Sequence, residues 1–184
     1  MDTNTETVLA AGSEFFDDLI NEINRATKNI YIRSFLWRND LTGIKVAETL
    51  LNAADRGVCV HITKDRIGAF FEYAEGNGQS FFHDNPSGDP LFSNHSTKTV
   101  AYQARAMAKL YGRTPRAPQR NDLLHKFRSH KNIHVIDSFK LYDHSKVIVI
   151  DECLSYVGGI GFGDEFNSGQ ESWIDFMFKL TSKQ

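Results

Sequence analysis

Between residues 144 and 161 the chain sets out His144-Ser145-Lys146, then four residues, then Asp151, then six residues, then Gly158-Gly159-Ile160-Gly161. On an extended strand, residues two apart emerge on the same face, so the His144 imidazole and the Lys146 ammonium stand side by side. Imidazole is a nucleophile near neutral pH, and an ammonium neutralises phosphoryl oxygens, so the pair suits attack on a phosphodiester. A hydrogen bond to a charged partner contributes roughly 1.5 to 3 kcal/mol net, enough for one lysine to matter. Asp151 can hold a positive group or fix a neighbouring side chain. The glycines let backbone approach a ligand closely with N–H groups free to donate. Each signal alone is ordinary, because a single strand histidine is usually structural. The fixed spacing of the whole series is what points to chemistry.

The elements around the series must position it. Phe16, Leu19, Ile20, Ile23 and Ala26 recur at three-and-four spacing after Ser13, which predicts an amphipathic helix over residues 13 to 27. Asn29 to Trp37 reads as a strand, Ile44 to Arg56 as a helix stopped by Gly57, and Val58 to Thr63 as the next strand. Strand, helix, strand in this order implies a right-handed crossover and a parallel pair. From 72 to 97 the chain collects Gly, Asn, Ser, Asp and Pro among Phe81, Phe82 and Phe92, an irregular excursion whose aromatics pin it to the domain. Helices are expected at 98 to 111 and 119 to 130, then short strands at 132 to 136, 145 to 150, 154 to 157 and 173 to 180. Ile148 and Ile150 should carry the His144 face of their strand into the core. The alternation favours one layered α/β domain with a mixed sheet.

Bulk properties leave that reading standing. The chain has 184 residues, 41% of them hydrophobic, enough for one substantial core. A net charge of -2 lacks the basic excess of a dedicated nucleic-acid binder, although residues 105 to 131 hold eight Lys or Arg against the single acid Asp122. That segment reads as a solvated helical face, with an apron for anionic headgroups as the alternative. Cys59 and Cys153 lie in apolar surroundings and read as buried packing residues, which fits a reducing, cytoplasmic compartment. No apolar run approaches the length of a membrane span, and peripheral membrane contact stays open. No dense His/Cys/Asp/Glu cluster has metal-ligand spacing, so neither a metal nor another cofactor is expected.

The series His144-x-Lys146, four, Asp151, six, Gly158-Gly159 resembles the HKD signature of the phospholipase D superfamily. Gly163-Asp164-Glu165-Phe166 is similar to the run after the double glycine in the bacterial cardiolipin synthase branch, and Trp173-Ile174-Asp175 to its closing strand. The opening from the first helix through Ala47 to Gly57-Val58 and Thr63 to Asp65 resembles the start of such a catalytic half. The resemblance covers about two thirds of the chain and leaves residues 70 to 131 as an insertion. It implies a phospholipase D-like α-β-α sandwich with a mixed central sheet over residues 1 to 184. One position departs from the pattern: Gly161 stands where the family usually has Asn, so a side-chain amide contact to phosphate is missing.

By this resemblance His144 is the nucleophile of a ping-pong reaction through a phosphohistidine, Lys146 binds phosphoryl oxygens, and Asp175 accepts the other imidazole proton. Gly158, Gly159 and Glu165 are the substrate-binding candidates. A second HKD half must supply the acid that protonates the leaving oxygen. The remaining histidines lack a lysine two residues on, so this chain holds one half. Losing a positioned general acid costs roughly 10² to 10⁴ in rate. Completion requires a homodimer or the missing half of a duplicated enzyme, the latter favoured by the cardiolipin synthase flavour. The leading function is a phosphodiesterase or phosphatidyltransferase acting on phospholipids. The alternatives are a nuclease of the same superfamily, with nucleic acid the less expected partner, and a non-catalytic module that binds phosphate or anionic lipid.

Overall fold

A computed structural model describes residues 5–9, 12–76, 80–82, 106, 121–138, 143–167 and 175–182. Helix α1 (Gly12–Arg25) buries Phe15, Phe16, Leu19 and Ile23, the stripe expected from three-and-four spacing. It leads into β2 (Asn29–Ser34), where Ile30, Ile32 and Ser34 face inward and Tyr31 and Arg33 outward. Helix α2 (Leu41–Asp55) starts three residues before the sequence suggests, because the Asp40 side chain accepts from the Gly43 N–H at 2.9 Å and caps it. Gly57 follows its end with a φ of +101°, the left-handed conformation in which glycine meets no Cβ penalty.

Strand β3 (Cys59–Asp65) pairs parallel with β2, as the strand-helix-strand order implies, with Ile30 opposite Val60 and Ile32 opposite Ile62. Strand β4 (Ile133–Ser138) pairs parallel with β3, while β5 (Lys146–Ile150) runs antiparallel on the other side of β2. Strands β6 (Leu154–Gly158) and β7 (Met177–Thr181) continue antiparallel, and β1 (Thr5–Leu9) closes the edge against β7. The mixed sheet therefore has seven strands in the order β1-β7-β6-β5-β2-β3-β4. Lys146, Ile148 and Ile150 alternate inward along β5, as expected for that strand.

Two elements were not legible in advance. Strand β1 lies in a polar, acidic start whose pairing with β7 supplies what its sequence lacks. Helix α3 (Arg66–Gly76) begins directly after β3, and its local signal is Asp65, which accepts from the Ile67 N–H at 2.7 Å. Helix α4 (Asp122–Ser129) carries Leu124 and Phe127 into the core. Phe127, Phe81, Phe82 and Phe162 surround Trp37, with ring centroids 4.3 to 6.5 Å from it, so the first two excursion aromatics do pin the chain. Phe92, the expected helix at 98–111 apart from Ala106, and most of the basic segment lie outside the described residues.

The fold is α/β, but only one helical layer of the expected sandwich falls among the described residues. Helix α1 packs on α2 and α2 on α4 over one face of the sheet. The other face shows Val8, Tyr31, Ile136, Val157 and Phe178 to solvent. Both cysteines are free and half-buried rather than fully packed away. No helix among the described residues is long and apolar enough to cross a membrane.

Candidate active site

The carboxyl ends of the parallel strands β2 and β3, the start of β5, the end of β6 and the start of β7 all meet at one edge of the sheet. In open α/β sheets this is the edge where ligands bind. His144 lies two residues before β5, exposed on one side, with its ring tilted on Phe35 at 4.5 Å between centroids. Lys146 reaches back along the same face. Its Nζ is 3.0 Å from His144 Nδ1, 3.3 Å from Nε2, and donates to the His144 carbonyl at 2.8 Å. The two side chains expected to cooperate are thus in contact.

The segment before the strand is held by a relay of carboxylates. Asp65, only 2% exposed, accepts from the Asp143 N–H at 2.8 Å, which ties residue 143 to the end of β3. Asp143 in turn accepts from the Ser145 hydroxyl and pairs with Arg33 at 3.2 Å. His144 therefore sits between two residues, Asp143 and Ser145, that these contacts tie to β3 and to each other. Sequence reasoning assigned no site role to Asp65, Asp143 or Phe35. The available signals were the carboxylate that ends β3 and the aromatic that directly follows β2.

Electrostatics set the two groups apart. Burial first, then the neighbouring ammonium, lowers the His144 pKa from its ordinary value, against opposing pulls from Asp175 and Asp65. Lys146 is 4% exposed, and burial pushes its pKa down to about 8 while Asp175 pulls it up. Near pH 7 the site holds a neutral imidazole beside an ammonium, which is the state a nucleophile and a phosphate clamp require.

Asp175 does join this edge, and the glycines explain how. Its carboxylate occupies the space where a Cβ on Gly159 would stand, so any side chain at 159 would collide with it. Its Oδ1 accepts from the Phe176 N–H at 2.8 Å, and its charge bears on both Lys146 and His144. Gly158 lies opposite Lys146 in the sheet. The Gly159 N–H donates to the Phe176 carbonyl at 3.0 Å, so this amide is not free for a ligand as the sequence suggested. The glycine is needed for the close approach of Asp175. At Gly161 a Cβ would stand 3.0 Å from the Phe166 ring and 3.3 Å from Leu36, a tight fit that suits the glycine found there.

Asp151 and Glu165 belong elsewhere. Asp151 sits at the opposite end of β5 and accepts from the N–H groups of Thr27, Lys28 and Asn29 at 2.8, 2.8 and 3.1 Å, and from the Thr27 hydroxyl at 2.9 Å. It fixes the start of β2, the second of the two roles open to it, at the far end of the strand from His144 and Lys146. Glu165 engages Arg38, whose side chain is 3% exposed. A buried guanidinium requires a counter-charge, and this carboxylate supplies it. Among the described residues no group of three metal-ligating side chains could hold a metal ion.

Comparison with known proteins meets this geometry. A family profile described as "Cardiolipin synthase, PLD-like domain" matches residues 19–171, most of the chain. The chain belongs to this family of cardiolipin synthase PLD-like domains. It is similar to a cardiolipin synthase of Geobacillus, 26% identical over 94% of this chain and 27% of that protein. The chain thus spans about a quarter of the length of the curated relatives it matches. The fold is that of NucT from Helicobacter pylori (TM-score 0.53, 15% identity, 98% of this chain and 86% of that one). It is also that of the phosphatidylserine synthase of Haemophilus influenzae (TM-score 0.54, 15% identity, 96% and 33%). The PLD-like domain accordingly matches nearly all of one solved chain and a third of another.

Proposed function

We propose that this PLD-like domain is one half of a phospholipid phosphodiesterase or phosphatidyltransferase, with His144 as nucleophile. The observation that carries the reading is the Lys146 ammonium held 3.0 Å from the His144 imidazole at the ligand-binding edge of the sheet. In the first step an imidazole nitrogen attacks phosphorus, the P–N bond forms, and the bond from phosphorus to the headgroup oxygen breaks. Lys146 neutralises the non-bridging oxygens, and Asp175 holds the imidazole proton on the far nitrogen. The departing oxygen takes its proton from an acid of a second HKD half, because no second histidine stands opposite His144 among the described residues. In the second step water or an alcohol attacks phosphorus, the P–N bond breaks, and the nucleophile's proton passes to that same outside group. The second half comes from another copy of this chain or from a fused half, and the site meets its lipid at a membrane surface without spanning it.

The test offers phosphatidylglycerol vesicles and supercoiled DNA in parallel to the native chain and to His144→Ala, with the missing half supplied by high chain concentration. Headgroup release that disappears in the alanine variant, without DNA nicking, is the expected outcome. Nicking without headgroup release would reassign the site to nucleic acid.

A further inference from the structure

Beneath the His144 and Lys146 pair lies a feature that the reaction itself does not require. We propose that Phe35, fixed by a buried Lys64–Glu72 ion pair, is a positioning residue whose ring is the common wall that sets both the imidazole and the ammonium. The inference rests on the reading of His144 and Lys146 as the phosphodiester-handling pair.

Phe35 follows directly on β2. Its ring meets the His144 ring at 4.5 Å between centroids and lies 5.5 Å from Lys146 Nζ, so one side chain contacts both reacting groups. His144 is otherwise exposed, and the ring is its apolar support. Phe71 of α3 packs behind Phe35 at 5.5 Å.

The backbone that carries Phe35 is held by two charges taken entirely out of solvent. Lys64 and Glu72 are each 0% exposed and lie 3.0 Å apart. Lys64 Nζ donates to the Phe35 carbonyl at 2.5 Å, and Glu72 Oε1 accepts from the Trp37 N–H at 2.5 Å. The pair thus brackets residues 35 to 37 just past the end of β2. Removing two charges from water costs several kcal/mol per ion, and well-packed apolar replacements are often at least as stable. Stability alone is a weak reason for the pair, and positional control of Phe35 is the role its contacts describe. Gly68 completes the arrangement, because a Cβ there would collide with the Phe35 carbonyl and stand 2.9 Å from Lys64 Nζ.

Two variants separate this role from mere packing. In the native chain, NMR titration of carbon-13-labelled lysines should find Lys146 near 8. Phe35→Ala admits water beside the ammonium, so Lys146 should move up by about one unit or more. The rate at which bis(4-nitrophenyl) phosphate modifies His144 should fall about tenfold or more. The double variant Lys64→Met with Glu72→Met leaves the ring intact and removes its anchors; it should keep a cooperative melt and lose a similar factor in that rate. An unmoved Lys146 titration in Phe35→Ala, or a double variant within about twofold of native, would overturn the proposal. Should native His144 take up no phosphoryl group at all, the phosphodiester reading fails, while the lysine titration still decides whether Phe35 is the wall.

Discussion

At the scale of single residues, the role proposed for Lys146 and the stability of the fold pull in opposite directions. Its pKa in the folded chain, about 8, lies below the ordinary 10.5, so the folded state holds this proton less tightly than the unfolded chain. The destabilising cost of the buried ammonium is therefore present in full below pH 8 and fades as pH rises towards 10.5. Lys146→Met should raise stability at pH 7 by on the order of 1 to 3 kcal/mol, read by chemical denaturation, while abolishing phosphoryl transfer. His144 is lowered too, which keeps its imidazole neutral to lower pH. The rate of His144 modification should therefore trace a plateau, falling on the acid side below the ordinary imidazole range and on the alkaline side near pH 8. A rate still rising above pH 9 would show that the ammonium is not needed.

At the scale of elements, the motif divides between two ends of one strand. His144 and Lys146 stand at the start of β5, while Asp151 closes its far end, where the turn takes φ values of +50° and +62° at Asp151 and Glu152. Burial alone would raise the Asp151 pKa, but three backbone N–H donors and the Thr27 hydroxyl outweigh it and hold it below its ordinary value. Its stabilisation is present above that ordinary value and lost as pH falls through the lowered one. Asp151→Ala should cost about 1 to 3 kcal/mol in equilibrium unfolding, with the loss shrinking in acid, because charged hydrogen bonds to the start of β2 disappear. This division also explains what the sequence could convey. The period of β5 and the HKD spacing place His144 and Lys146 correctly, because local alternation decides which face they share. The same spacing says nothing about tertiary partners, so Asp151 and Glu165 look like site residues until Thr27 and Arg38 appear beside them. Strand β1 and helix α3 escaped for the same reason, since pairing with β7 and a single carboxylate at Asp65 define them more than their own pattern does.

At the scale of the whole molecule, the proposed function assigns the domain a nucleophile, a phosphate clamp and an orienting carboxylate, and leaves protonation of a poor leaving group to a second half. A substrate whose leaving group needs no proton bypasses that deficit, because a nitrophenolate departs as a stable anion. Bis(4-nitrophenyl) phosphate therefore isolates the half-reaction proposed for this chain. The decisive measurement is peptide mass spectrometry of the native chain and of His144→Ala after brief incubation with this diester near pH 7, quenched under alkaline conditions that preserve P–N bonds. A 4-nitrophenyl phosphoryl group bound through nitrogen to the peptide containing His144, with one nitrophenolate released per chain and neither signal in His144→Ala, is the predicted result. Nitrophenolate release that persists in His144→Ala, or a native chain left unmodified, would contradict the assignment of His144 as the attacking group.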